Sequence, residues 1–275
     1  METNITKPDD NVVVAAAAAA EPTKLKTEDT GKIFEKAICD AYGISYDGPF
    51  QYSQADVDKL TPRLKRLVTD NLFPMCTHTA SKGARYDFTA VAESGEVLHL
   101  SAKSNKKKGG KIAPQVVGQA TPQKFWEECS ASGTSSASGT SSAAAAESGL
   151  EMDPTDPSTL KKYIQENIAA IMPMLWRYTF DSPIVYYVRD SDLIRFIAPT
   201  TGCEPDWPSF KYTWSRSYDK WSNSTSIRVL TQGGGKEETI MEFQFHTKSR
   251  QNMAVRWVID KVLDVFAGHF KVVSL

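Results

Sequence analysis

Apolar and polar residues alternate along the chain with two different periods, which separates predicted helices from predicted strands. A stripe of helical spacing from Ile33 to Tyr42 predicts a helix that begins near Thr30 and ends at Gly43. The same spacing predicts helices over residues 54–71, 113–128, 160–176 and 252–266, with Pro62 either tolerated near the start of the second or splitting it. Alternation with a period of two predicts strands over residues 86–92, 97–103, 184–188, 193–197, 226–230 and 240–246, and residues 72–85 are expected to be irregular.

Two segments have compositions that do not suit a packed core. Residues 1–28 are polar or alanine-rich and predict a disordered tail. Residues 129–158 predict a low-complexity linker, because the six residues from Ala131 recur from Ala137 and four alanines follow. The sequence therefore predicts a core over residues 29–128 and a β-rich part over residues 159–275 that completes the fold.

The charge distribution favours a polyanionic partner. The 275 residues carry a formal net charge of −1. Residues 1–30 hold six acids and three lysines (−3), and residues 127–157 hold six acids without a Lys or Arg (−6), which leaves about +8 for the remainder. The plainer interpretation is that acidic linkers keep the chain in solution.

Targeting and cysteine signals point to the cell interior. No apolar run is long enough for a membrane span, and no basic segment precedes the apolar stretch near the start. The four cysteines show neither paired nor metal-type spacing, which is typical of reduced, intracellular thiols.

A predicted hairpin carries the most informative polar residues. In its second strand Leu98, Leu100 and Ala102 share one face, while His99, Ser101 and Lys103 share the other. A two-residue turn at Ser94-Gly95 would pair Asp87 with Ala102. A three-residue loop over residues 93–95, with a left-handed Gly95, instead pairs Asp87 with Ser101 on the polar face. The alternative is an ordinary hairpin with a surface Asp and a surface Lys.

Three segments together resemble a known family. Gly31-Lys-Ile-Phe-Glu35-Lys-Ala-Ile resembles the first helix of PD-(D/E)xK nucleases, especially the MspI-type type II restriction endonucleases. Asp87 with Ser101-x-Lys103, followed by Lys106-Lys107-Lys108, is similar to their catalytic hairpin and its lysine-rich turn. The resemblance covers residues 30–128 well and residues 210–248 weakly. Two departures stand out: Tyr86 replaces the usual proline, and Ser101 replaces the usual acid.

The resemblance implies a fold and a catalytic site. It implies an α/β fold with a mixed β-sheet flanked by helices, together with a β-rich recognition part. Asp87, Ser101, Lys103 and Glu35 would be catalytic, and Mg²⁺ would bind Asp87, the Ala102 carbonyl and Glu35. Lys103 would orient or activate the attacking water, and Ser101 would hydrogen-bond a water near the ion.

The resemblance also implies contacts with duplex DNA. Backbone phosphates would be contacted by Lys106, Lys107, Lys108, Lys111 and Gln115. Gln119 is the alternative to Gln115, and a solvated helix face is the plainer role for both. Bases would be read by Arg228, Gln232, Lys236, Gln244, His246 and Lys248, for which ordinary strand polarity is the plainer interpretation.

These residues favour a Mg²⁺-dependent, sequence-specific endonuclease that cuts a short site, four bases long in the resembled enzymes, to 5′-phosphate and 3′-hydroxyl ends. The protein is expected to act as a monomer in the cytoplasm, paired in role with a DNA methyltransferase, and the linkers hint at a eukaryotic or large-virus source. A structure-specific nuclease and an inactive DNA-binding module with a nuclease fold are the alternatives, and the Ser101 replacement favours the second of them.

Overall fold

The computed structural model describes residues 26–80, 84–133, 156–202, 204–230, 235–246 and 252–275. Residues 1–25 of the predicted tail and residues 134–155 of the predicted linker lie outside the described residues. Residues 27 and 28, the last of the predicted tail, are helical. At the two ends of that linker the chain is helical, through Gly133 on one side and from Pro157 on the other.

Seven α-helices lie within the described residues. They are α1 (Thr27–Tyr42), α2 (Gln54–Leu64), α3 (Arg66–Thr69), α4 (Pro122–Gly133), α5 (Pro157–Glu166), α6 (Ile168–Phe180) and α7 (Ile259–Val265). The first ends as predicted, because Gly43 adopts the left-handed conformation that caps a helix, with φ 67°. Asp156 caps α5 by accepting hydrogen bonds from the backbone of Ser158 and Thr159.

A mixed six-stranded sheet carries the predicted hairpin at one end. Its strands are β1 (Cys76–His78), β2 (Phe88–Val91), β3 (Val97–Asn105), β5 (Ile184–Val188), β6 (Leu193–Pro199) and β11 (Phe270–Ser274), in that spatial order. The pair of β3 and β5 is parallel, and every other pair is antiparallel. The predicted α/β class with a mixed sheet flanked by helices is confirmed.

The second sheet has five antiparallel strands. It is formed by β4 (Lys111–Ile112), β10 (Asn252–Val258), β9 (Glu237–His246), β8 (Ser224–Leu230) and β7 (Tyr212–Trp214), in that order. A bulge at Ile240 interrupts the pairing of β8 with β9, since Ile227 pairs with Met241 and Arg228 pairs with Thr239.

Two hydrophobic clusters cover the two faces of the six-stranded sheet. On one face, side chains of α1, α2 and α3 pack on Phe88, Leu100, Ala102 and Val185. On the other face, α4 to α7 and the inner face of the five-stranded sheet pack around Ile184 and Tyr186. Because Leu100 and Ala102 belong to the first cluster, Ser101 and Lys103 point to the opposite face, as the alternation predicts.

The helix predicted over residues 113–128 is wrong in its first half. Residues 113–121 form an irregular turn, and α4 begins only at Pro122. A proline lacks the amide hydrogen that a helix interior needs but suits a first helical position, so Pro122 starts the helix. Gly118 is packed so closely that a Cβ there would lie 2.1 Å from the Pro114 carbonyl oxygen.

The helix predicted over residues 252–266 is also wrong in its first half. Residues 252–258 form the central strand β10, in which Met253, Val255 and Trp257 point into the core. Pairing with both β9 and β4 outweighs a helical spacing that the same apolar residues also satisfy. Only α7 (Ile259–Val265) remains helical.

Three smaller differences concern element boundaries. The predicted irregular segment over residues 72–85 contains the strand β1. The helix predicted over residues 54–71 is two helices that meet after Leu64, and the one predicted over residues 160–176 is two helices separated by Asn167. Cys39, Cys76 and Cys129 are buried free thiols. Among the helices of the described residues, none combines the length and apolar character that crossing a membrane requires.

Candidate active site

The hairpin of β2 and β3 has the predicted three-residue loop. Gly95 has φ 84°, and its backbone N–H donates to the Ala92 carbonyl. Phe88 pairs with Leu100, so Asp87, one residue earlier, comes level with Ser101. A loop of this length needs a left-handed last residue, which explains why the glycine fixes the register.

Asp87 is held at the point where β2 begins. Its Oδ2 accepts a hydrogen bond of 2.8 Å from the Ala102 backbone N–H and lies 3.5 Å from Nζ of Lys103. Its carbonyl accepts from the N–H of Thr79, which extends the ladder toward β1. An acid, a strand peptide and an ammonium group therefore converge at one place.

Ser101 contacts a glutamine rather than solvent. The residue is 1% exposed, and its Oγ accepts a hydrogen bond of 2.6 Å from Nε2 of Gln115. The backbone of Ser101 donates to the carbonyl of Pro183, just before β5. Oε1 of Gln115 is buried without a hydrogen-bond partner among the described residues. The hydroxyl is thus part of the support behind Asp87 and Lys103.

Gln115 owes its position to a tight turn. Its backbone N–H donates to the carbonyl of Tyr178 on α6, and its carbonyl accepts from the N–H of Val117 two residues later. The residue between them, Val116, has φ 64°. A β-branched residue in the left-handed region is strained, and such γ-turns are rare. Strain of this kind persists where the surrounding contacts fix the backbone.

Glu35 lies on α1 in a buried cluster beside the hairpin. Its Oε2 is 3.4 Å from Nζ of Lys32 and 3.7 Å from Nε2 of His78. The side chain of His78 is 1% exposed, its ring stacks on Tyr46, and its Nδ1 accepts from the N–H of Asp47. In the neutral ring Nε2 therefore carries the proton and faces the Glu35 carboxylate.

Lys32 connects this cluster to Asp87 electrostatically. Burial alone would lower the pKa of Lys32, but the charges of Glu35, Tyr46 and Asp87 together with the hydrogen bond to Glu35 outweigh it, and the pKa is raised. The ammonium of Lys32 thus contacts Glu35 and is also influenced by the charge of Asp87. Direct contact of Glu35 with Asp87 is absent within the described residues.

The lysine loop after β3 is fixed by its backbone. The carbonyl of Lys106 accepts from the N–H of Asp190, and the N–H of Gly109 donates to Oδ2 of Asp260. Oδ1 of Asp260 in turn accepts from Arg195 on β6. The side chains of Lys107 and Lys108 are exposed, whereas Nζ of Lys111 is hydrogen-bonded to Glu242.

The predicted base-reading residues are spread over the second sheet. Gln244 and His246 lie on the outer face of β9, and Arg228 lies on β8, 3.6 Å from Glu237. Lys236 precedes β9 and bonds Glu238. Gln232 and Lys248 lie outside the described residues. These roles stay predictions.

The donors around Asp87 suit a hard cation that keeps much of its water. Oδ1 of Asp87 makes no hydrogen bond to a described residue. N–H and C=O of one strand residue point to the same side, so the Ala102 carbonyl is directed to the side on which its N–H meets Asp87. One carboxylate oxygen and one carbonyl are the kind of set that Mg²⁺ takes together with substrate phosphate. A group of three or more metal-binding side chains is absent from the described part of the chain.

The chain is similar to a type II restriction enzyme. It is 34% identical over 251 residues to the type II restriction enzyme CviAII of Paramecium bursaria Chlorella virus 1. The matched segment is 91% of this chain and 64% of that protein, so the chain spans less than two thirds of the relative's length. No family model matches the chain, and no solved structure matches it.

Sequence reasoning missed His78, Lys32 and the link between Gln115 and Ser101. His78 is 43 residues from Glu35, and nothing in its spacing indicates a contact. Lys32 precedes Glu35 by one helical turn, so that pair was detectable from the i,i+3 spacing.

Proposed function

We propose that this chain is a Mg²⁺-dependent, sequence-specific endonuclease that hydrolyses phosphodiesters of double-stranded DNA, of the type II restriction class. The observation that carries the proposal is the convergence of Asp87, the Ala102 peptide and Lys103 at one strand end. The similarity to the viral restriction enzyme supports the same activity independently.

The residues of the site have separable roles in this proposal. Asp87 and the Ala102 carbonyl would hold Mg²⁺, which when bound would polarise the phosphate and lower the pKa of a water. The ammonium of Lys103, 3.5 Å from Asp87, contacts the scissile phosphate and orients the attacking water. Gln115 positions Ser101, and Ser101 fixes β3 at the point where it lies beside Asp87 and carries Lys103.

Glu35 has an indirect role. Its carboxylate is engaged by Lys32 and faces His78, so it acts on the ion at Asp87 only at a distance, through the field shared with Lys32. The exposed Lys107 and Lys108, with Lys106, contact the phosphates on either side of the scissile bond.

The finer features of the proposal follow from the MspI-type resemblance. The chain binds DNA as a monomer and cuts a four-base palindromic site in two successive nicks. Its products carry 5′-phosphate and 3′-hydroxyl ends, and a DNA methyltransferase of the same specificity protects the producing genome.

A substitution at Lys103 tests the site. We expect Lys103→Ala to lower cleavage of phage DNA by roughly 100-fold or more while duplex binding in a gel-shift assay is retained, since the group acts on the reacting phosphate. The matched control is Lys271→Ala, which removes an exposed lysine from β11 and leaves cleavage unchanged. Unchanged cleavage by Lys103→Ala would refute the assignment.

Metal removal tests the ion. Cleavage stops in EDTA and returns when Mg²⁺ is added in excess, while the melting temperature changes little because Asp87 already has protein partners. Cleavage that persists after exhaustive chelation would contradict the Mg²⁺ requirement.

One observation favours a second candidate, an inactive DNA-binding module. Among the described residues Asp87 is the sole carboxylate within ion-pair distance of Lys103, and the Ser101 hydroxyl is already hydrogen-bonded. Incubation of the protein with phage DNA or branched DNA and Mg²⁺ separates the restriction enzyme, the structure-specific nuclease and the inactive module. Discrete bands support the restriction enzyme, cutting of branched substrates alone supports a structure-specific nuclease, and binding without cutting supports the inactive module.

A further inference from the structure

The outer face of the five-stranded sheet is mostly polar, as is common where one face of an antiparallel sheet is turned away from the core. Alternate residues of β8, β9 and β10 point away from the apolar core onto this face. We call it the polar face, and its residues are Ser224, Ser226, Arg228, Glu242, Gln244, His246, Asn252, Ala254 and Arg256. Most are only partly exposed, and Glu242 is buried. The face therefore holds hydrogen-bonding groups in a fixed arrangement.

Arg256 lacks the partners that a half-buried guanidinium normally has. It pairs in register with Glu242 on β9, yet it makes neither a hydrogen bond nor an ion pair with any described residue. A guanidinium carries five N–H donors in a planar fork, and leaving them unpaired near the protein interior costs free energy. Because Arg256 is partly exposed, its fork is open to an acceptor that comes from outside the chain.

The neighbours of Arg256 explain why it stays unpaired. Oε2 of Glu242 is taken by Nζ of Lys111, and its Oε1 accepts a hydrogen bond of 2.9 Å from Nε2 of Gln244. Oδ1 of Asn252, on the same face of β10, is buried without a hydrogen-bond partner in the described part of the chain. Two groups of one face thus have unused hydrogen-bonding capacity.

The polar face is connected to the lysine loop that follows the candidate active site. Lys111 follows the lysine loop directly and reaches across β10 to Glu242. On β10, the N–H of Val255 donates to the carbonyl of Gly118, which lies three residues after Gln115. A duplex whose phosphates contact the lysine loop would therefore come close to Lys111, which borders the polar face through Glu242.

We propose that Arg256 reads a guanine of the recognition site through the major groove. This rests on the proposed function. Guanine presents two acceptors, N7 and O6, whose spacing matches the guanidinium fork, and this pair is the commonest specific contact between a side chain and a base. The lysine loop already supplies charge for phosphates, whereas Arg256 is held on a strand among amide and carboxylate groups. A rigid fork in that setting suits a base edge.

The first test uses the unaltered protein. The preferred sequence is found by sequencing duplexes that the protein retains from a random library, and the ends of the DNA that it cuts. Each guanine of that sequence is then replaced in turn by 7-deazaguanine, which has C–H in place of N7. We expect one position to weaken binding by about 10-fold to 100-fold, as removal of one half of a bidentate interaction implies. A retained sequence without a G·C pair, or no enriched sequence at all, would overturn the inference.

The second test connects that position to Arg256. Arg256→Lys keeps the charge but loses the fork, so we expect the variant to accept other bases at the sensitive position and to lose its response to 7-deazaguanine there. The control is Arg66→Lys on α3, where the arginine is ion-paired with Asp70 and the preferred sequence stays unchanged.

Two outcomes contradict the assignment. One is an Arg256→Lys variant whose affinity falls by the same factor for every duplex while its preferred sequence stays the same. That result is the signature of a phosphate contact. The other is an unchanged response to 7-deazaguanine. Because binding is measured beside cleavage, a chain that cuts nothing refutes the proposed catalysis and leaves this test intact.

Discussion

Val116 is a single residue whose backbone conformation opposes its own side chain. Its φ of 64° lies in the left-handed region, where a β-branched residue is disfavoured by roughly 1–3 kcal/mol. Hydrogen bonds on both sides of it, to Tyr178 and within the turn, impose this conformation so that Gln115 reaches Ser101. The strain is thus linked to the support of the site.

Val116→Gly is therefore expected to raise the free energy of unfolding by about 1 kcal/mol, measured by urea denaturation. Glycine adopts positive φ freely, and little apolar burial is lost because Val116 is 46% exposed. The matched control is Val272→Gly on β11, where the valine is 44% exposed and extended, and glycine should destabilise. Equal destabilisation by both substitutions would argue against strain at Val116.

Contacts within the single hairpin of β2 and β3 were the ones that could be predicted. Gly95 and the alternation along β3 gave the register that brings Asp87 beside Lys103. The contact of His78 with Glu35 and that of Gln115 with Ser101 were not predictable. They depend on how separate elements pack, and a single sequence contains no signal for that packing.

At the scale of elements, local pattern identified most strands and failed where two periods coincide. Residues 252–258 fit a helical stripe and an alternating strand equally well, and the neighbouring strands decided between them. Residues 113–121 show the same limit, because the packing of Gly118 and the hydrogen bond to Tyr178 exclude the helix that their apolar spacing suggests. Tertiary contacts override propensity in both segments.

The ion pair that joins β4 to β9 gives a pH-dependent test. Burial alone would raise the pKa of Glu242, but the hydrogen bonds from Lys111 and Gln244 and the charges of Lys111 and Arg256 outweigh it, and the pKa is lowered. A carboxyl with a lowered pKa in the folded state contributes stability at neutral pH. That contribution is lost as the pH falls below the unfolded value of about 4.3 and through the folded value.

Glu242→Gln should therefore be less stable than the unaltered chain by roughly 1–3 kcal/mol at pH 7, with a gap that closes as the pH approaches 3. Denaturation by urea over this pH range measures the gap. Glu166→Gln is the control, since its pair with Lys162 is exposed and spans 3.9 Å, and its effect should stay below about 0.5 kcal/mol at every pH. A gap independent of pH would mean that the charge of Glu242 contributes nothing.

At the scale of the whole molecule, contacts between residues far apart in the sequence hold the lysine loop beside the candidate active site. Asp260, at the start of α7, joins the N–H of Gly109 in the lysine loop to Arg195 on β6. The loop is thereby fixed relative to both sheets by contacts within the protein. Its exposed lysines should act on binding through charge and on cleavage only through affinity.

Lys106, Lys107 and Lys108 are replaced together by alanine. The negative slope of log K for DNA association against log salt concentration should then become shallower by roughly 3, about 0.9 for each phosphate that is no longer neutralised. The preferred DNA sequence should not change, because phosphate contacts carry no base information. The measurement is a salt titration of duplex binding, with Lys59, Lys65 and Lys271 replaced together as the control. A changed sequence preference in the first variant would assign those lysines to base reading.

The strand that carries Lys103, β3, lies between two strands that are synthesised at very different times: β2 just before it and β5 much later. Its antiparallel partner β2 precedes it by a short loop, whereas its parallel partner β5 begins at Ile184 and supplies Pro183 for the Ser101 amide. A chain emerging from the ribosome would therefore expose one unpaired edge of this strand until residue 188 is synthesised, and a completed site could not form before then. Unfinished copies would be prone to self-association through this edge and, under the proposed function, unable to cut DNA.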